Sequence, residues 1–205
     1  MSRIAYGYRF ISKASVLFAF FVVMNSCGMR KKNYKLVSPA AKDVNSGNPA
    51  VPSDANSARN FVWTHSMTKN YANLLEVDEY TIHRSQHLYH FIDEWIGSPH
   101  KLGGTLKNGI DCSGFIQILY AQIYQKTLPR NSRDMAKIVK RKYDSQLKEG
   151  DLVFFSFGRN KIDHVGVYLH NNKFVHVSTK KGVIISDLKD PWYAKYIARL
   201  GTPKV

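Results

Sequence analysis

The chain changes its hydrophobic period near Asp151, and that change constrains its fold most. Up to there the apolar residues recur at helical spacing. Leu88, Phe91, Ile92, Trp95 and Ile96 form one such stripe, ended by Gly97-Ser98-Pro99, and Phe115, Ile118, Leu119 and Ile123 form another that runs to about Gln125. Ser132 is placed to cap a short helix reaching Val139. Beyond Asp151 the segments are short and strand-like: Leu152–Phe157, His164–Leu169, Phe174–Ser178, Val183–Asp187 and Tyr196–Leu200. Turn residues separate them at Gly158-Arg159-Asn160, Asn171-Asn172 and Lys181-Gly182. Helices followed by strands predict an α+β domain, with the helices packed on a roughly five-stranded antiparallel sheet.

The domain is expected over residues 83–205. Residues 61–82 form an extension of uncertain role, whose Phe61, Val62, Trp63, Tyr71, Leu74 and Leu75 either pack on the domain or make a short helix. Residues 27–60 are rich in Lys, Asn, Ser, Ala and Pro, without an apolar period, and read as a flexible tether. Residues 1–26 read as an export signal: Arg3, Arg9 and Lys13 precede eleven apolar or small residues, Ala14 to Met24. That run is shorter than the roughly 20 residues a transmembrane helix needs. Asn25-Ser26-Cys27-Gly28 resembles a bacterial lipobox, with Cys27 as the lipidated residue. Gly28 after it points to the outer membrane, facing the periplasm, or to the outer face of the cytoplasmic membrane in an organism lacking an outer one.

The formal charge is +15, and a chain starting at Cys27 would carry +12. Such a surface attracts polyanions, but no nucleic-acid motif is present. The clusters Met29-Arg30-Lys31-Lys32 and Lys140-Arg141-Lys142 read as solvated faces. Of the two cysteines, each has a separate role, so a Cys27–Cys112 disulfide is not expected.

Cys112 carries the chemistry. Gly103 and Gly104 lead toward Gly109-Ile110-Asp111-Cys112-Ser113-Gly114, and the apolar helix follows. A cysteine at a helix start meets unpaired N–H groups and the helix dipole, which favour the thiolate. A nucleophile of this kind needs a base. His164, with an ordinary pKa of about 6.5, suits the role, and His176 would hold its ring in the useful tautomer. The register is open. Read as a two-residue turn, Asn171-Asn172 places the two histidines on opposite faces, and a three-residue turn or a bulge returns them to one face. His65, His83, His87, His90 and His170 read as bystanders, and Asp163 as an exposed turn residue. Metal ligation by Cys112, His164 and His176 is the competing use of the same side chains; neither a metal nor a cofactor is expected.

Five blocks, in order, resemble the NlpC family of papain-like cell-wall peptidases: Gly103-Gly104-Thr105 with Gly109 to Phe115, Leu128-Pro129-Arg130, Gly150 to Phe155, His164 to Leu169, and Phe174-Val175-His176. The tail Gly182 to Ser186 with Pro191-Trp192-Tyr193 resembles the family's lipoprotein murein endopeptidases in particular. Nucleophile before histidine sets the chain apart from circularly permuted relatives that transfer lipid acyl groups. The resemblance implies a papain-like fold and a monomer that hydrolyses peptidoglycan peptides, with Cys112 as nucleophile, His164 as base and then acid, and His176 as orienting residue. It implies a Cys112 backbone N–H donor to the oxyanion, and substrate contacts from Asp111 and Ser113. The family usually has Tyr ahead of the paired glycines; here His100 stands there, a substitute donor or a sign of altered specificity. Two alternatives remain: cleavage of the D-glutamyl–diamino-acid bond of stem peptides, and a catalytically silent murein-binding lipoprotein.

Overall fold

The structure, a computed structural model, describes residues 63–158 and 161–205. Cys27, the signal and the tether lie outside the described residues. Three helices come first: α1 (His65–Leu75), α2 (Glu79–Arg84) and α3 (Gln86–Trp95). Thr64 caps α1 by accepting from Met67 N, and Asp78 caps α2 through Thr81 N. Tyr71, Ala72, Leu75 and Ile82 are buried in the main core, so α1 and α2 belong to the same packed body as α3.

A two-residue hairpin, β1 (Thr105–Leu106) and β2 (Gly109–Ile110), precedes α4 (Cys112–Ile123). Then come α5 (Ser132–Lys137), β3 (Val139–Arg141), β4 (Leu152–Phe155), β5 (His164–Tyr168), β6 (Lys173–Ser178), β7 (Gly182–Asp187), α6 (Pro191–Ala194) and β8 (Ile197–Pro203). The sheet is antiparallel with order β3-β8-β4-β5-β6-β7. It has six strands where the pattern suggested five. The sixth is β3, whose Val139 was expected to end a helix and instead pairs with Pro203. The cap of α5 also differs: Asn131, in extended backbone, accepts from Asp134 N, and Ser132 is the first helical residue.

Alternation along the strands splits the sheet into two faces. Val165, Val167, Val175 and Val177 meet Phe115, Ile116 and Leu119 of α4 on the helix side. Val153, Phe155, Phe174 and Leu200 form a second cluster on the other side, with Tyr193 and Tyr196 against it.

The β5–β6 turn decides the register. His170, Asn171 and Asn172 make a three-residue connection, closed by Leu169 N donating to Lys173 O at 2.8 Å. Asn171 and Asn172 both take positive φ, 47° and 66°, which asparagine tolerates better than most residues. Asn171 Nδ2 also donates to the carbonyls of Leu75 and Glu76, which the end of α1 leaves unpaired. His176 consequently faces Gly166 across the ladder and shares a sheet face with His164. Gly166 makes room for this: a Cβ there would lie 2.8 Å from Phe174 Cδ2 and 3.2 Å from His176 Cβ. Gly166→Ala is therefore expected to destabilise the fold by about 1–3 kcal/mol through overpacking. Urea denaturation checks this, and an unchanged midpoint would contradict it.

Candidate active site

Cys112 opens α4, and Asp111 caps it, its Oδ1 accepting from Gly114 N at 2.7 Å. The same carboxylate organises the approach loop. Oδ2 accepts from Gly103 N at 2.8 Å, and Arg130 bridges both oxygens, Nη1 to Oδ1 at 2.8 Å and Nη2 to Oδ2 at 2.9 Å. Arg130 also donates to Ser113 Oγ at 2.9 Å and to Gly104 O at 3.2 Å. Burial works against the charge on Asp111, but Arg130 and the backbone donors outweigh it and hold the carboxyl below its usual range. Asp111 and Ser113 are thus buried at the start of α4 on either side of Cys112, and both still line the cleft. Gly114 is required by this packing, since a Cβ would sit 2.7 Å from Gly104 O.

Burial pushes the Cys112 thiol up. The N–H groups of Val165, Ser113 and Cys112 itself pull it back and Asp111 pushes it further, for a net rise. This corrects the expectation that a helix start alone favours the thiolate: desolvation of the sulfur outweighs the local dipoles. Proton loss from this sulfur therefore calls for an internal acceptor.

The cleft that holds Cys112 also holds two histidines, His164 on β5 and His176 on β6. His164 Nε2 and His176 Nδ1 are 2.8 Å apart, with the rings perpendicular. This contact uses His164 Nε2, and the residue lines the cleft. His176 is 2 % exposed, and its Nε2 meets Ser186 Oγ at 3.0 Å and Tyr193 Oη at 3.2 Å. When this hydroxyl pair accepts from His176 Nε2–H, His176 Nδ1 accepts from His164 Nε2–H, and His164 Nδ1 keeps the lone pair a base needs. Both nitrogens of His176 are thus engaged, so it could ligate a metal only by breaking one of these contacts.

Burial lowers His164 to about 4, with Asp163 opposing and His100 assisting the shift. Burial, and then His164, lower His176 to about 3. Unfolded histidine titrates near 6.5, so as pH falls the unfolded state binds protons first. The stability this contributes is complete above pH 6.5 and drains as pH drops toward about 4. The two histidines give a slope of up to about 2.7 kcal/mol per pH unit. His90, also lowered by burial, adds in the same direction. Urea midpoints at pH 7 and pH 5 should show the fall, and His176→Asn should roughly halve the slope; a flat profile would contradict it.

Cys112, His164, His176, His100, Asp111 and Ser113 all line one cleft of about 1010 Å³. His100 is half-buried and bridges to Ile110, beside the approach loop. Asp163 is exposed, and its carboxylate caps the N–H groups of Phe157 and Gly158. Sequence reasoning assigned no individual role to Arg130, Ser186 or Tyr193. All three sit in blocks quoted for their family resemblance, so the signal was present without a mechanism attached. His170, read as a bystander, is a structural tie that meets Glu149 Oε2 at 2.9 Å.

The family model described as the NlpC/P60 family matches residues 97–201. The probable endopeptidase NlpC homolog of Haemophilus influenzae is 43% identical over 103 residues, covering 50% of this chain and 54% of that protein. The murein DD-endopeptidase MepS/murein LD-carboxypeptidase of Escherichia coli K12 is 43% identical over 102 residues, with the same two shares of 50% and 54%. The chain thus spans about half the length of these curated relatives. Among solved structures, an NlpC/P60 family protein from Bacillus cereus aligns with a TM-score of 0.54 at 27% identity, covering 58% of this chain and 40% of that one. Half of the chain carries the family's pattern on the fold that pattern implies, and the chain belongs to the NlpC/P60 family.

Proposed function

We propose that this protein is a peptidoglycan endopeptidase, a cysteine-type hydrolase that cuts murein peptide cross-links during wall growth or remodelling. The observation that carries the reading is the 2.8 Å contact between His164 and His176 in the cleft that also holds Cys112. The murein endopeptidase names of the relatives support the substrate class. Cys112 Sγ–H gives its proton to His164 Nδ1 as sulfur attacks the peptide carbonyl carbon. The Cys112 backbone N–H, with His100 as a second donor, stabilises the oxyanion. The imidazolium then protonates the departing amine as the C–N bond breaks. Water, deprotonated by His164, hydrolyses the thioester and restores the thiol. His176 and the hydroxyls behind it orient His164 throughout.

The protein acts outside the cytoplasm, on this reading as a monomer. Export by the residue 1–26 signal, lipidation at Cys27 and a tether over residues 27–60 would hold the domain on a membrane, by preference the outer one facing the periplasm. Two acyl chains suffice for stable anchoring. Incubating purified sacculi with the protein and resolving the products by mass spectrometry tests the reaction. Loss of cross-linked dimers with gain of intact monomeric muropeptides is expected. Cutting at the D-glutamyl–diamino-acid bond, or no product at all, would contradict the proposal.

A further inference from the structure

One wall of the cleft is a tiered aromatic stack. Phe155, fully buried, lies 5.5 Å from Phe157 with the rings 5° from parallel. Trp192 lies 6.3 Å from Phe157 at 15°. Tyr196 braces Trp192 edge-on at 5.2 Å, and Trp192 N is held by Asp190 Oδ1 at 2.9 Å. Trp192 is nevertheless 61% exposed, on the cleft that holds Cys112. Its inner neighbour Phe157 touches the His164 ring at 5.5 Å. An indole this well supported and this open is a pre-formed stacking platform rather than a core residue.

Shape and charge select the ligand. A flat, open indole offers stacking area and no enclosure, which suits a ring with an apolar face and polar edges. An ammonium group could also sit on an aromatic face, but a chain of net charge +15 repels cations over its surface. A neutral sugar ring meets both conditions. We infer that Trp192, backed by Phe157, is a saccharide subsite that binds a hexosamine ring of the glycan strand next to the stem peptide being cut. The subsite would favour peptides still attached to glycan over free ones. This inference rests on the murein reading, but its test needs no catalysis.

Full-length Cys112→Ala protein is titrated with chitotetraose, a linear oligomer of N-acetylglucosamine, and the heat of binding is followed by isothermal titration calorimetry. A saturable change is expected. It should weaken about tenfold in Cys112→Ala/Trp192→Ala, the loss of one stacking contact, and largely return in Cys112→Ala/Trp192→Phe. The same affinity with and without Trp192 would overturn the inference, as would a sugar-free stem peptide that gives the same Trp192-dependent signal. Sacculus cleavage by the wild type with no sugar signal in the Cys112→Ala protein would sink this inference alone and leave the proposed reaction standing.

Discussion

Cys112→Ala should abolish sacculus digestion, a fall on the order of 10⁶-fold in turnover, while the protein stays folded. The thiol is partly buried and free, and its helix is held by Asp111, which the substitution leaves in place. His164→Ala should cost about as much as Cys112→Ala, and the double variant little more, because nucleophile and base act as a unit. His176→Ala should cost less, since His176 acts through His164. No digestion by the wild type, with sacculus binding unchanged in Cys112→Ala, would instead favour a silent murein-binding lipoprotein. Turnover followed by chromatography of released muropeptides, with circular dichroism as the folding control, checks all three variants.

The largest effect on stability is expected at Arg130. Its guanidinium bridges both oxygens of Asp111, whose side chain is only 8% exposed. Arg130→Met would leave that carboxylate buried with backbone N–H groups and Ser113 as partners. Breaking a buried pair costs about 3–5 kcal/mol. Arg130 itself is 38% exposed, so the cost here should be nearer 2–4 kcal/mol. Arg130→Lys should rescue only part of it, since one ammonium cannot match a two-pronged contact. In an Asp111→Asn background the same Arg130 change should cost much less, and urea denaturation of the four proteins measures that coupling. Additive effects would mean the pair is not what holds the loop. The approach loop should also loosen in Arg130→Met, so alkylation of Cys112 should slow in parallel with the loss of stability.

The period change at Asp151 was enough to order helices before strands and to place five of the six strands of the large sheet. β3 escaped because three residues are too few for alternation to show, and because Val139 also fits the end of the preceding helix. The cap of α5 was misplaced by one residue because Asn131 and Ser132 are both good capping types, and only backbone conformation chooses between them. Cys112, His164 and His176 were legible as a set because each stands at a recognisable point of an element. Their shared cleft was not, since the histidines' common face depends on a turn that only tertiary contacts select: Asn171 reaches across to the carbonyls that end α1. The raised thiol was missed for a related reason. A helix start is visible in sequence, whereas the desolvation that opposes it comes from packing. Ser186 and Tyr193 went unassigned because hydroxyl residues are common on strands, and only the 3.0 Å and 3.2 Å contacts with His176 Nε2 mark them out.

The central claim is that an imidazole takes the proton from a thiol that burial keeps from ionising unaided. Alkylation of Cys112 by iodoacetamide, measured as rate against pH in the wild type and in His164→Ala, tests it most directly. With His164 lowered to about 4, the wild-type rate should hold level from about pH 5 to pH 8 and fall only in stronger acid, while His164→Ala should react appreciably only above the ordinary thiol range of about 8.5. Superimposable profiles, both rising only at alkaline pH, would show an ordinary cysteine beside a histidine that takes no proton from it.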